Sequence, residues 1–346
     1  MKWDFAIGNP AYQAAVDDDS ENKTYSAPVY NCFLDEAFKI ADKVEMIHPA
    51  RFLFNAGSTP KAWNEKMLND SHFKVLDYEE DASVVFSNTD IKGGVAITYH
   101  DVTKDFEPIV VFTKSPVLND ILHRVKKTVD FSTMDKIVIT RTAYRLTEKL
   151  HQNHTEALSQ LSKGHPYDMS TNIFDRLPQV FFAKKPDDGN AYIQILGREN
   201  NQRVYKYILC EYVNEPQNLH KYKIFLPSAN GNGIFGEALT APVIGIPEMG
   251  STETFISIGC FETEEEAANL LKYIRSKFAR AMLNILKITQ HLTPDVWKYV
   301  PLQDFTPQSD INWSASVANI DKQLYKKYGL TQEEIDFIET HVKEME

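Results

Sequence analysis

Cysteine is scarce in this chain: Cys32, Cys210 and Cys260 are the only three in 346 residues. An odd number at wide spacing excludes a disulfide framework and suits reduced, mostly buried thiols. A zinc site would need a tighter cluster. His151-x-x-His154 has no acid or thiol pair beside it and reads as two exposed helix residues. Long apolar runs are missing too. The longest are of the order of IVVF at 109–112, far too short to span a bilayer, and no basic-then-apolar leader precedes the first structured residues. The expected compartment is therefore cytoplasmic. Internal repeats and low-complexity segments are absent, and no nuclease constellation stands out. The acid-x-Lys spacing of Glu21-Asn22-Lys23 falls in a polar loop and is discounted.

What is present is an ordinary globular composition, 43% apolar and 25% charged, in a length that accommodates two domains. The net charge of −11 is unevenly spread. Residues 111–210 carry 15 Lys and Arg against 10 Asp and Glu, while both flanks are acidic. A basic middle between acidic ends is compatible with DNA binding by part of the molecule, although many proteins with neutral partners show as much.

The first 112 residues alternate strand and helix patterns. DFAI at 4–7 reads as a short buried strand, and residues 14–27 as a polar loop. Val29, Phe33, Ala37 and Ile40 recur at helical spacing. KVEMIHP (43–49) and FKVLDY (73–78) read as strands, and GGVAITYHD (93–101) as a late antiparallel strand near a sheet edge. Residues 118–163 look largely helical. QVFFAK, AYIQIL, VYKYIL, YKIFLP and TFISIG between 178 and 260 look like short strands split by turns. Thr263-x-x-Glu266 and Thr331-x-x-Glu334 are capping boxes, the first opening a helix to about Lys287.

Chemistry concentrates at Asn9-Pro10-Ala11-Tyr12, directly after the first strand. Asn-Pro starts many ordinary turns, and four residues alone favour a structural role. The same residues also suit transfer of a methyl group to an exocyclic base amine, whose lone pair is delocalised into the ring. The Asn9 side-chain oxygen and the Pro10 carbonyl can accept hydrogen bonds from both amine hydrogens, moving the nitrogen toward tetrahedral geometry. Tyr12 offers a face on which an extruded base can stack. Open α/β sheets bind ligands at such a place, beyond the carboxyl end of a strand.

The context of that turn is more specific. IGNPAYQ, APVYNCFLDEAFKIADKVEMIHPARFLFNAG, FKVLDY and VFSNTDIKGGVAITYHD follow one another. Later come KYKIFLPSANGNGIFGE, GSTETFISIG, KFARAMLNILKITQH, WKYVPLQDF and IDKQLYKKYGLTQEEIDFIE. Nearly the whole chain thus resembles gamma-class N6-adenine DNA methyltransferases of restriction–modification systems, the TaqI-like, type IIG group, whose methylase is often fused to or partnered with a nuclease. Asn9-Pro10-Ala11-Tyr12 departs from that family's Asn-Pro-Pro-Tyr only at Ala11, which puts rate in doubt more than reaction type. The resemblance implies that Asn9 and Pro10 hold the target amine, that Tyr12 stacks on a flipped adenine, and that Phe86 meets the base's other face. A Phe in an apolar context is more often core.

The resemblance also implies an α/β fold: the C-terminal half of a Rossmann-like methyltransferase sheet over residues 1–112, then an α+β target-recognition domain over 113–346. Arg124, Lys126, Lys127, Arg141, Arg145 and Lys149 fall on more than one helical face, so a solvated surface and phosphate contact both remain open. Asn230 and Asn232 in SANGNG suit an adenine edge, and a plain hairpin turn explains them as well. The implied cofactor is S-adenosylmethionine. Its glycine loop and acid lie upstream of Asn-Pro-x-Tyr in the family and find no counterpart here, since neither Gly93-Gly94 nor Gly231-x-Gly233 follows a strand and opens a helix as required. The expectation is a methyltransferase acting as a fragment or as one part of a split enzyme, with a second chain supplying the cofactor half or a nuclease. Two readings stand beside it: a non-catalytic DNA-binding specificity module, and a non-DNA α/β protein with a coincidental turn.

Overall fold

The chain is mixed α/β, with three sheets and eleven α-helices among the described residues. The computed structural model describes all residues except 1, 15–26, 55–57, 88–90, 92, 114, 130, 232, 288–289 and 346. The expected polar loop, Glu21-x-Lys23 and Asn232 therefore lie outside the described residues. Two compact units divide the chain, Met1–Asn119 and Asp120–Glu346.

The first unit is organised by a parallel pair. β1 (Trp3–Gly8) runs parallel to β2 (Ala41–Pro49), with Trp3 beside Ala41 and Gly8 beside Met46. Parallel strands cannot be joined by a tight turn, and the crossover contains α1 (Tyr30–Ile40). Next come α2 (Lys61–Leu68), β3 (Phe73–Glu79), α3 (Ala82–Val85) and β4 (Val95–Asp101). The sheet order is β1-β2-β4-β3, with β4 antiparallel to both neighbours. The late antiparallel strand is therefore present, but inside the sheet rather than near its edge, and Val95 and Ala96 are buried.

The edge is β1, and this corrects the expectation of a buried strand. Trp3, Phe5 and Ile7 share one face by the two-residue repeat of a strand and are 66%, 46% and 72% exposed. In α1 the buried residues are Tyr30, Asn31, Leu34 and Ala37, whereas Phe33 and Ile40 are exposed. The buried stripe thus starts one residue later than the apolar spacing suggests, because Tyr30 packs with Phe52, Trp63 and His48 in the unit's core.

The second unit begins within α4 (Pro116–Lys126). It continues with β5 (Val138–Ile139), α5 (Glu148–Asn153), α6 (Ala157–Gln160) and α7 (Ile173–Arg176). The largely helical stretch expected at 118–163 is thus broken. Tyr144 and Leu146 are buried in alternation, and isolated bridges tie Arg145 to Asp168 and Leu146 to Val213, which holds this segment extended. QVFFAK is no strand and makes only the bridge Phe182 to Tyr207. The other four expected strands form: β6 (Tyr192–Glu199), β7 (Gln202–Leu209), β8 (Tyr222–Pro227) and, after β9 (Val243–Gly245) and β10 (Met249–Ser251), β11 (Phe255–Phe261). They make two sheets, ordered β10-β6-β7 and β5-β11-β8-β9.

Both capping boxes are present. The first opens α8 (Glu264–Arg275), but Ser276 adopts an extended conformation and caps a separate α9 (Lys277–Leu283), which shortens the helix expected to reach Lys287. α10 (Val317–Lys327) and the second box with α11 (Gln332–His341) close the chain. The three cysteines are free, yet Cys32 and Cys260 are exposed and Cys210 is half-buried, so burial does not account for them. His151 is buried with Nε2 2.7 Å from the Pro166 carbonyl, a core position rather than an exposed one. Among the described residues no helix is long and apolar enough to cross a membrane, and no cluster of His, Cys, Asp or Glu could hold a metal.

His48 on β2 is fully buried, stacked on Tyr30 at 5.5 Å, with Nε2 2.7 Å from Thr98 Oγ1. Burial lowers its pKa to about 4. The folded value lies below the unfolded one of about 6.5, so the unfolded chain takes the proton first. Its contribution is complete above about pH 6.5 and is lost as the pH falls toward 4, by up to about 3 kcal/mol. Thermal unfolding at pH 7 and pH 4.5 checks this: His48→Gln should show a smaller acid-induced drop in Tm than the parent chain.

Candidate functional site

Asn9, Pro10 and Tyr12 leave the carboxyl end of β1. The turn is fixed upstream by the pairing of Gly8 with Met46 and downstream by Val29, whose N–H donates to the Tyr12 carbonyl at 3.1 Å. Asn9 is exposed and Pro10 partly so, which leaves the side-chain amide and the fixed proline backbone accessible. Tyr12 is half-buried, and its hydroxyl is enclosed without a hydrogen bond. Burial raises the phenol above its usual pKa, and the nearby Asn9 side chain opposes part of that shift.

The structure brings Phe86 to the same place. β3 lies antiparallel to β4, and β4 antiparallel to β2, so β3 runs parallel to β1. Both carboxyl ends therefore face the same end of the sheet. The chain beyond Glu79 passes through α3, which Asp81 caps by accepting from Ser83 N–H, and reaches Phe86. The Tyr12 and Phe86 ring centroids are 6.3 Å apart at 67°, an edge-to-face contact. A planar base sandwiched between two rings needs them roughly parallel and about 7 Å apart, two van der Waals contacts. Phe86 would have to move away from Tyr12 as well as turn to admit a base.

The residues expected to contact DNA scatter over the second unit. Arg124 pairs with Glu334 of α11, its Nε 3.2 Å from the carboxylate. Lys126 lies over the Tyr299 ring, and burial lowers its pKa. Lys127 follows α4 in a turn, and Lys149 is exposed on α5. Arg145 donates to Asp168 at 3.1 Å, and His165 Nδ1 lies 2.6 Å from the same carboxylate. Arg141 is exposed and makes no ion pair or hydrogen bond through its side chain among the described residues.

The loop after β8 is built more rigidly than a hairpin turn requires. Asn230 is buried, its side-chain oxygen accepts from Thr240 N–H, and its own N–H donates to the Gln290 carbonyl. The Asn230 Nδ2 is buried without a hydrogen-bond partner among the described residues. Glu237 accepts from Gly233 N–H and pairs with the fully buried ammonium of Lys287. Ser228 and Arg141 line one cleft of about 300 Å³, together with Thr140, Thr142 and His291. Arg141 and Thr142 also line a second cleft of about 320 Å³ with His165, Asp168 and Glu253. A search for basic residues passes over Glu253 and the threonines. Only their position beside the turn at 140–142 marks them.

Residues 1–86 match the Eco57I restriction-modification methylase family, a span that ends on Phe86. No curated protein matches the chain. Among solved structures, the type IIG restriction endonuclease BpuSI is similar at 10% identity, with a TM-score of 0.30 over 92% of this chain and 50% of that one. The type IIL restriction-modification enzyme MmeI in complex with DNA is similar at 9% identity, with a TM-score of 0.37 over 98% of this chain and 56% of that one. This chain thus spans about half the length of both.

Breaking the Glu237–Lys287 pair tests the support of the loop. Glu237→Gln leaves a buried ammonium without its carboxylate and should destabilise the second unit by about 3 kcal/mol or more, read by denaturant unfolding.

Proposed function

We propose that this chain carries the amine-holding turn and the DNA-recognition region of a gamma-class, TaqI-like adenine-N6 DNA methyltransferase in a restriction–modification system. The observation that carries the reading is the placement of Asn9-Pro10-Ala11-Tyr12 at the carboxyl end of a parallel strand, with the Phe86 ring against Tyr12. In this reading a flipped adenine enters at the turn. Its amine donates one hydrogen to the Asn9 side-chain oxygen and the other to the Pro10 carbonyl. The nitrogen lone pair is thereby drawn out of the ring and becomes nucleophilic. Tyr12 stacks on one face of the base and Phe86 closes on the other. Ala11 leaves both acceptors in place.

The methyl donor of such enzymes is S-adenosylmethionine, and the residues of this chain do not by themselves fit it. Among the described residues no strand passes through a glycine turn into a helix. The exposed apolar row Trp3, Phe5 and Ile7 on the edge strand β1 offers a face for further sheet and helix. We place the cofactor-binding half there, on residues outside this sequence or on a second chain, with any nuclease likewise carried elsewhere. Double-stranded DNA is the macromolecular partner, met by the second unit. The lack of a glycine cradle equally favours a second reading, a specificity module that binds DNA and retains the turn without performing chemistry.

Two measurements test these readings. Titration calorimetry of this chain with S-adenosylmethionine should show no binding, and a clear signal would contradict the assignment of the cofactor half elsewhere. In the enzyme reconstituted with that half, Asn9→Ala should abolish methylation, at least a hundredfold, while DNA affinity stays within a factor of two. Surviving activity would remove the amine-holding role.

A further inference from the structure

The cleft of about 320 Å³ beside the turn at 140–142 holds two opposite charges that do not meet. β5 and β11 pair antiparallel through Ile139 and Ser257, so residues 140–142, leaving β5, pass alongside the residues that lead into β11. Arg141 comes from the first flank and Glu253 from the second. Neither side chain makes an ion pair or a hydrogen bond among the described residues. Their backbones are nonetheless fixed: Glu253 N–H donates to the Met169 carbonyl, its carbonyl accepts from the Ser228 hydroxyl, and Ala143 N–H closes the turn onto Thr140. Asp168 lines the same cleft, but Arg145 and His165 already engage it.

The combination limits what the cleft can receive. Phosphate oxygens only accept hydrogen bonds, so a backbone-contacting surface needs donors, and a carboxylate there repels. A base-pair edge presents both kinds of group. Guanine O6 and N7 accept from an arginine fork, and the cytosine N4 amine donates to a carboxylate. The geometry points to Arg141 and Glu253 acting together as the readers of one G·C base pair in the major groove, Arg141 on guanine and Glu253 on cytosine. Both sit in short turns beside paired strands, Arg141 two residues beyond β5 and Glu253 two residues before β11, with the backbone of each turn hydrogen-bonded. This assignment rests on the DNA-recognition reading above.

The test is selection of bound duplexes from a pool with a randomised window, using the full chain, Arg141→Ala and Glu253→Ala. The parent chain should select a sequence containing a fixed G·C pair. Both variants should lose preference at that same position and bind the selected duplex roughly 5- to 100-fold more weakly. The dependence of affinity on salt should keep its slope, and thermal unfolding should be unchanged because neither side chain makes an ion pair or hydrogen bond among the described residues. Uniform weakening of all duplexes by Arg141→Ala, with the salt slope reduced by about one, would make Arg141 a phosphate contact and overturn the inference. So would unchanged selection, relaxation at two different positions, or a parent chain that binds DNA without preference. A parent chain that binds no duplex at low salt overturns the DNA reading itself.

Discussion

A parallel strand pair cannot be closed by a short turn, and the arrangement of the first unit follows from that constraint. β1 ends at Gly8 and β2 begins at Ala41, at the opposite end of the sheet. The chain between them must leave the carboxyl end, return along the sheet as α1, and start again. Asn9-Pro10-Ala11-Tyr12 is the first stretch of that return, so it is held at an open sheet end rather than folded under a neighbouring strand. The antiparallel insertion of β4 makes β3 parallel to β1 as well. The segment after β3 therefore comes out at the same end, and Phe86 meets Tyr12 although the two are 74 positions apart in the sequence.

The same pair carries a cost at its outer side. Parallel strands are ordinarily covered on both faces, yet β1 has a strand on one side only among the described residues and exposes Trp3, Phe5 and Ile7 along one face. An exposed row of that kind has the character of an interface. It also explains why sequence patterning misjudges β1: DFAI has the composition of a strand meant to be covered, and composition reports the covered state. The turn depends on the position of this edge strand, which is held on one side by β2.

Strand and cap signals were the most legible parts of the sequence. FKVLDY, KVEMIHP and four of the five expected β segments of the second unit form strands, and both Thr-x-x-Glu boxes close as written. These features depend on residues close together in the chain. Lateral position was not legible. Nothing in GGVAITYHD distinguishes an interior strand from one near an edge, and the helix face of α1 was misassigned because Tyr30, polar at one end, packs inward against His48 while Phe33 does not. At 141–150, the helical period and polarity of RTAYRLTEKL point to a helix. The decisive signal was the alternation of Tyr144 and Leu146, which outweighs local propensity once both are buried. At the turn, the residue types Asn9, Pro10 and Tyr12 were readable directly, and Phe86 only through resemblance.

Charge counting finds surfaces that attract nucleic acid, and it is blind to surfaces that discriminate. Three of the six cations singled out by that count are committed in the fold: Arg124 to Glu334, Arg145 to Asp168, Lys126 to the face of Tyr299. Each such pairing stabilises the second unit modestly and lowers the charge it presents to a polyanion. A cation held by a carboxylate must give up that partner before it can contact a phosphate, so its net gain from DNA is small. Arg141 has no such exchange to make. Glu253 beside it would weaken attraction to a bare phosphate backbone, but it becomes favourable when an amine donor is placed against it. Opposite charges kept apart by the turns that carry them thus favour a ligand offering acceptor and donor side by side, and a base pair has that chemistry where a phosphate does not.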